Sequence, residues 1–174
     1  KAGLKSLGPA FRIAGTGGWI SNYDIEEVLN KFHNNVDKFY SYGAVPIDFS
    51  KCSVSNLCNI DIGNHLTKNE AKIGIVFNTD KSGQPGKHWM SMFIDLIGEN
   101  LNGDPGIYFF DSFAEKPSKE IKDLIQKLQS QGEQHDIEFV VANNDKSFQK
   151  NNYSCGFYCM HFLEHMIRGL PFNK

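Results

Sequence analysis

His88-Trp-Met-Ser-Met-Phe-Ile-Asp-Leu-Ile97 and Gly106-Ile-Tyr-Phe-Phe-Asp-Ser-Phe113 are two apolar, aromatic-rich runs separated by a turn over residues 98–105, and they read as an antiparallel hairpin. A shorter run, Lys72-Ile-Gly-Ile-Val-Phe77, precedes them as a strand and ends in Asn-Thr-Asp-Lys-Ser-Gly-Gln-Pro-Gly, a loop by composition. Asp136-Ile-Glu-Phe-Val-Val-Ala142 follows them as a further strand. Helical signals lie on both sides. Ile25, Val28, Leu29 and Phe32 keep the spacing of an amphipathic helix, and Ser21 with Asp24 has the spacing of a capping box, Asp standing for the usual Glu. Ser118 is placed to N-cap a helix carrying Ile121, Leu124, Ile125 and Leu128, with Gly132 as its stop. Cys155-Gly-Phe-Tyr-Cys-Met-His-Phe-Leu-Glu-His-Met-Ile-Arg168 is a last helix, ended by Gly169 with Pro171 just beyond. The fold class is α+β, a central mixed β-sheet flanked by helices.

Residues 1–18 are Gly-rich and aperiodic and read as a flexible lead-in, leaving 19–174 as a single domain. Residues 36–66 have mixed patterning, and Gly43 to Phe49 read as loop and turn. The chain of 174 residues is long enough to bury a real core, and 40% hydrophobic content excludes a disordered chain. Lys and Arg total 18 against 20 Asp and Glu, so bulk charge does not point to nucleic acid or a membrane surface. No apolar run approaches a membrane span and the start has no secretory core, so a cytoplasmic setting is expected. Without an initiator Met, the chain reads as trimmed or processed.

The four cysteines, at 52, 58, 155 and 159, are expected to be reduced thiols. Cys52, Cys58 and His65 match no closed four-ligand zinc pattern, and Cys155-x3-Cys159 is not a redox CxxC, so no metal or other cofactor is expected.

Four residues form a candidate constellation. His88 opens the first hairpin strand and Asp111 closes the second, which puts both at one end of the sheet. Asp can then orient the imidazole and stabilise its cation. Cys155 sits at a helix N-terminus, where free N–H groups and the macrodipole favour thiolate. Gln149, six residues earlier, can donate its amide to a developing oxyanion beside the Cys155 N–H, and Gly156 lets a substrate carbonyl approach. Singly, each has a plain alternative: a capped His, a turn-forming Asp, a packed Cys. Their joint order is what carries the reading.

That order resembles the ubiquitin-like-protein protease clan, which includes the SUMO proteases and adenovirus protease. The matching segments are His88-Trp89, Asp111 after Tyr-Phe-Phe, Gln149-x5-Cys155-Gly, and Trp19-Ile-Ser-Asn-Tyr-Asp-Ile25. Ile75-Val-Phe-Asn-Thr-Asp80, Gly86-Lys-His-Trp89 and Tyr108-Phe-Phe-Asp-Ser112 are similar to the branch of large DNA viruses, of the asfivirus and mimivirus kind. The resemblance covers roughly residues 19–170. Tyr-Ser before Cys155, where a Thr-Glu or Thr-Gln pair is common, and the second helix cysteine Cys159 depart from it. The end at Lys174 is expected to fall short of the C-terminal extension that such viral enzymes often carry.

The resemblance implies an adenain-like, papain-like core acting as a monomer without cofactor. It implies hydrolysis after Gly-Gly, through a tunnel that admits only backbone on the acyl side. The protein substrate would be a viral polyprotein, cut in the host cytoplasm or the virion, or a ubiquitin- or SUMO-like tag. An inactive binding module and a redox or zinc protein using Cys155 and Cys159 are the competing classes. Some relatives need a peptide or nucleic acid for activity; the near-neutral charge disfavours nucleic acid here. Trp89 is similar to the tryptophan that walls the tunnel, and core packing accounts for it equally well. Trp19 reads as core, Cys159 as packing, and residues 33–70 as the surface where partner choice is expected to lie.

Overall fold

The structure is a computed structural model that describes residues 21–152 and 154–172. The expected lead-in over 1–18 and Trp19 lie outside the described residues. Helix α1 (Asn22–Asn35) starts on the expected capping box: Asp24 N–H donates to Ser21 Oγ (3.3 Å) and Ser21 N–H to Asp24 Oδ2 (2.9 Å). Its buried face is Ile25, Val28, Leu29 and Phe32.

Strands β1 (Phe39–Val45), β2 (Lys72–Asn78), β3 (Trp89–Asp95), β4 (Gly106–Phe110) and β5 (Val140–Asn143) form one sheet in the order β1-β2-β3-β4-β5. The outer pairs β1–β2 and β4–β5 are parallel, and β2–β3 and β3–β4 are antiparallel. The hairpin register pairs Ser91 with Phe110 and Asp95 with Gly106. Every residue of β2 is buried, because helices cover both faces of this central strand.

The period of two sorts the strand side chains into two cores. Ile73, Ile75, Phe77, Met92, Ile94 and Phe109 face α2 (Ile62–Thr67) and α3 (Lys119–Glu133). Val76, Phe93, Tyr108 and Phe110 face α1 and the last helix, α4 (Cys155–Ile167). A short 3-10 turn (Asn56–Asn59) lies before α2.

Four expectations are corrected. Gly43 to Phe49 is not all loop: β1 runs to Val45, with a register slip between Ser41 and Ala44. Gly43 sits in the slip at φ +77°, and Glu26 Oε1 accepts Ala44 N–H there (2.7 Å); a Cβ at residue 43 would lie 2.6 Å from that oxygen. The strand expected over Asp136–Ala142 begins only at Val140, since Asp136 has φ 56° and Ile137 N–H is spent on Gly132 O (2.8 Å). Ser118 holds the N-cap position of α3 without a side-chain bond, and the helix passes Gly132 to end at Glu133. Finally, Cys52 and Cys58 are not reduced thiols. They form a disulfide around the 3-10 turn, which brings their Cα atoms to 5.3 Å, within bridging range. Cys155 and Cys159 are free and buried.

Candidate active site

The C-terminal ends of β1, β2, β4 and β5 and the start of β3 meet at one end of the sheet. His88 directly precedes β3 and Asp111 directly follows β4, so the antiparallel register sets them side by side. His88 Nε2 donates to the Asp111 carboxylate, 3.0 Å from each oxygen. That commits Nε2 and leaves Nδ1 as the nitrogen that meets Cys155, with which His88 shares a hydrogen bond. The ring of Phe113 lies against the imidazole, centroids 5.2 Å apart.

Asp111 is 1% exposed and held on three sides. Phe113 N–H donates to its Oδ1 (2.8 Å), and Asn144 clamps its backbone, accepting from Asp111 N–H (3.0 Å) and donating to Asp111 O (2.7 Å). Asn144 follows β5, so the parallel β4–β5 pairing delivers the orienting carboxylate and its clamp together. Nothing in the local composition around Asn144 marks it in the sequence.

Cys155 is 2% exposed and opens α4. The backbone N–H groups of Trp89 and Gly156 and the His88 side chain hydrogen-bond its sulfur. Burial pushes the Cys155 pKa up, but these bonds and the imidazolium charge outweigh it and hold the thiol below its ordinary value. Burial likewise pushes His88 down, and the bonds to Asp111 and Cys155 override it, raising His88 to about 9. Both shifts act in the direction of a thiolate–imidazolium pair. Cys159, one turn along α4, is the opposite case: full burial drives its thiol well above the ordinary value, with partial relief from Ser91. It packs against Phe93 and the α1 core, as expected.

Gln149 is 4% exposed and is bonded to Ser112, the residue after Asp111. Gln149 N–H donates to Ser112 O (3.0 Å), and Ser112 Oγ donates to Gln149 Oε1. Gln149 Nε2 gives one hydrogen to Asn151 O, and Asn151 Oδ1 accepts from Ser154 N–H (3.0 Å) and Ser154 Oγ (2.8 Å). Ser112 and Asn151, neither singled out by sequence reading, therefore connect Gln149 to the turn that delivers Cys155.

Trp89 is half-buried: it packs on the core around Phe93 and also borders a cleft of about 210 Å³. Asn78, Gly86, Gln84 and Pro46 border the same cleft. Asn78 is 5% exposed, and its Nδ2 has no partner among the described residues. Also among the described residues, no group of three His, Cys, Asp or Glu side chains could hold a metal, and no helix is long and apolar enough to cross a membrane.

The model of the Ulp1 protease family, C-terminal catalytic domain, matches residues 55–174. The chain belongs to the Ulp1 protease family. A thiol protease of Acanthamoeba polyphaga mimivirus is 33% identical to this Ulp1-family domain over 157 residues, covering 90% of the chain and 50% of the relative. The solved African swine fever virus protease superposes with a TM-score of 0.72 at 19% identity, over 86% of this chain and 58% of that one. The Ulp1 protease domain in complex with SMT3, the yeast ortholog of SUMO, superposes at 0.60 with 16% identity, over 98% and 72%. At such identities the two superpositions establish the fold, a mixed sheet with flanking helices. The Ulp1-family domain spans about half the length of its mimivirus relative.

Proposed function

We propose that this Ulp1-family domain is a cysteine endopeptidase that hydrolyses peptide bonds after Gly-Gly, with Cys155 as nucleophile, His88 as general base and acid, and Asp111 as the orienting carboxylate. The observation that carries this reading is the division of labour on His88: Nε2 bonded to Asp111 at 3.0 Å, Nδ1 left for Cys155. The thiolate attacks the scissile carbonyl, and the imidazolium returns its proton to the leaving amine from Nδ1. Water, deprotonated at the same nitrogen, then releases the acyl enzyme. The second amide hydrogen of Gln149 and the Cys155 N–H are the donors offered to the oxyanion.

The features that support Gly-Gly selection are the cleft that Trp89 borders and the unpartnered Asn78 Nδ2 beside it, a donor suited to a substrate carbonyl. The first reading of the substrate is a viral polyprotein cut during virion maturation, and its support is that the mimivirus and African swine fever virus relatives are viral proteases. The Ulp1–SMT3 complex favours a second reading, removal of a ubiquitin- or SUMO-like tag. A panel of viral-type Gly-Gly peptides against ubiquitin and SUMO conjugates separates the two. In either case, changing either Gly to Leu is expected to lower kcat/KM by on the order of 10²-fold or more; comparable turnover of a Leu-Leu peptide would overturn the Gly-Gly reading.

Activity is expected to be bell-shaped in pH. It rises on the acid side as Cys155, whose pKa is lowered, becomes thiolate, and falls as His88 loses its proton near pH about 9. A kcat/KM profile flat from weakly acid to strongly alkaline pH contradicts the ion-pair mechanism.

A further inference from the structure

One wall of the cleft beside Trp89 is the β2–β3 loop, whose residues 80–86 all border it. Within itself the loop is loosely tied: Lys81 N–H to Gln84 Oε1 (2.8 Å), Gln84 N–H to Lys81 O (3.1 Å), and Gly86 N–H to Asp80 Oδ2 (3.1 Å). Its base is held by Ile47 N–H on Asp80 O (3.0 Å). Its tip is gripped from outside by one side chain. Asp48 Oδ1 accepts Ser82 N–H and Asp48 Oδ2 accepts Ser82 Oγ, both at 2.8 Å. Two bonds from one carboxylate to one residue fix orientation as well as distance.

Asp48 stands on a run of consecutive turns rather than on a helix or strand: Phe49 N–H to Pro46 O, Lys51 N–H to Asp48 O, and Val54 N–H to Lys51 O. Two anchors hold this run. Phe49 is buried against Phe77, with ring centroids 5.2 Å apart, and the Cys52–Cys58 disulfide closes the far end. The disulfide is thus linked through Asp48 and Ser82 to the wall of the cleft, with no contact to His88, Asp111 or Cys155.

We propose that Asp48 is a positioning residue for substrate, clamping the β2–β3 loop as the wall of the acyl-side cleft, and that the Cys52–Cys58 disulfide holds the turn that carries it. The proposal rests on the reading of that cleft as the acyl-side site. A wall already ordered spares the substrate the entropy of ordering it, so losing the clamp weakens binding and leaves the chemical step alone. The cleft is consequently sensitive to redox state separately from the nucleophile. A dithiol converts the disulfide to two thiols and is itself oxidised to a cyclic disulfide, while Cys155, already a thiol, is unchanged.

The test compares a Gly-Gly peptide carrying six residues on its acyl side with one carrying Gly-Gly alone, in the full chain. Asp48→Ala is expected to raise KM for the long peptide about 5- to 10-fold at unchanged kcat, and by clearly less for the short peptide, which reaches only the Trp89 end of the cleft. Asp48→Asn, whose amide accepts the Ser82 N–H and donates to its hydroxyl, stays within about two-fold of the parent. The double variant Cys52→Ala/Cys58→Ala moves KM in the same direction by about 3-fold. Iodoacetamide labels Cys155 at the parent rate in all three, and hydrogen exchange of the amides of residues 81–84 and 86 accelerates in Asp48→Ala and the double variant only. Unchanged KM in Asp48→Ala, equal losses on both peptides, or a double variant identical to the parent overturns the proposal. If the parent cleaves neither peptide, the Gly-Gly reading fails on its own account, and exchange at the same amides still upholds or refutes the clamp.

Discussion

Cys155→Ala is expected to abolish hydrolysis, lowering kcat/KM by on the order of 10⁵-fold, while leaving the fold intact. Loss of a nucleophile removes the covalent route altogether, and what remains comes from binding and the oxyanion donors. Alanine at residue 155 is also mild for the structure, since it keeps α4 helical and removes a sulfur whose partners are the His88 side chain and two backbone N–H groups. A Gly-Gly electrophile such as a vinyl ester should label the parent once and the variant not at all, read by intact mass. Cys159 is the other free thiol among the described residues; full burial and a raised pKa make it a poor nucleophile. Persistent labelling of Cys155→Ala would move the reaction to another residue and sink the mechanism.

The second large effect is His88→Ala, expected to cost on the order of 10⁴-fold in kcat/KM. Two functions disappear together: the proton carrier at Nδ1, and the cation that holds the Cys155 thiol below its ordinary value. A second measurement separates them. Alkylation of Cys155 by iodoacetamide reports thiolate alone, and its pH dependence should move to higher pH in His88→Ala, because burial then acts on the thiol with only backbone donors against it. Unmoved alkylation would mean that the imidazole does not share charge with the sulfur. Asp111→Asn should be milder, on the order of 10²-fold, because Asp111 orients the ring and raises its basicity without carrying the proton.

The hairpin was legible in the sequence because its two runs are apolar, aromatic and separated by a turn, signals that need no distant partner to be recognised. With the hairpin came the pairing of His88 and Asp111, since antiparallel register sets the start of one strand beside the end of the next. The start of α1 was legible for the same local reason, its cap lying three residues from its partner. β1 was not. Its edge position, its register slip at Gly43 and the Glu26 carboxylate that fills the slip are set by packing against α1 and β2, not by neighbours in the chain. The Cys52–Cys58 bond was missed because composition speaks to the environment of a thiol, whereas bridging depends on the 3-10 turn that brings the two together.

The sequence by itself determined that this chain has a cysteine at a helix N-terminus, a histidine and an aspartate at one sheet end, and a glutamine on the loop between sheet and helix. These follow from periodicity, capping and order along the chain, which act over a few residues. Only the tertiary structure decided which imidazole nitrogen meets the sulfur, that Asn144 clamps the backbone of Asp111, that Ser112 and Asn151 connect Gln149 to the nucleophile's turn, and that Asp48 grips the wall of the cleft. Apart from the short-range bonds of Asn151, each of these joins segments at least 23 residues apart in the chain, and its direction depends on the packing that brings the segments together.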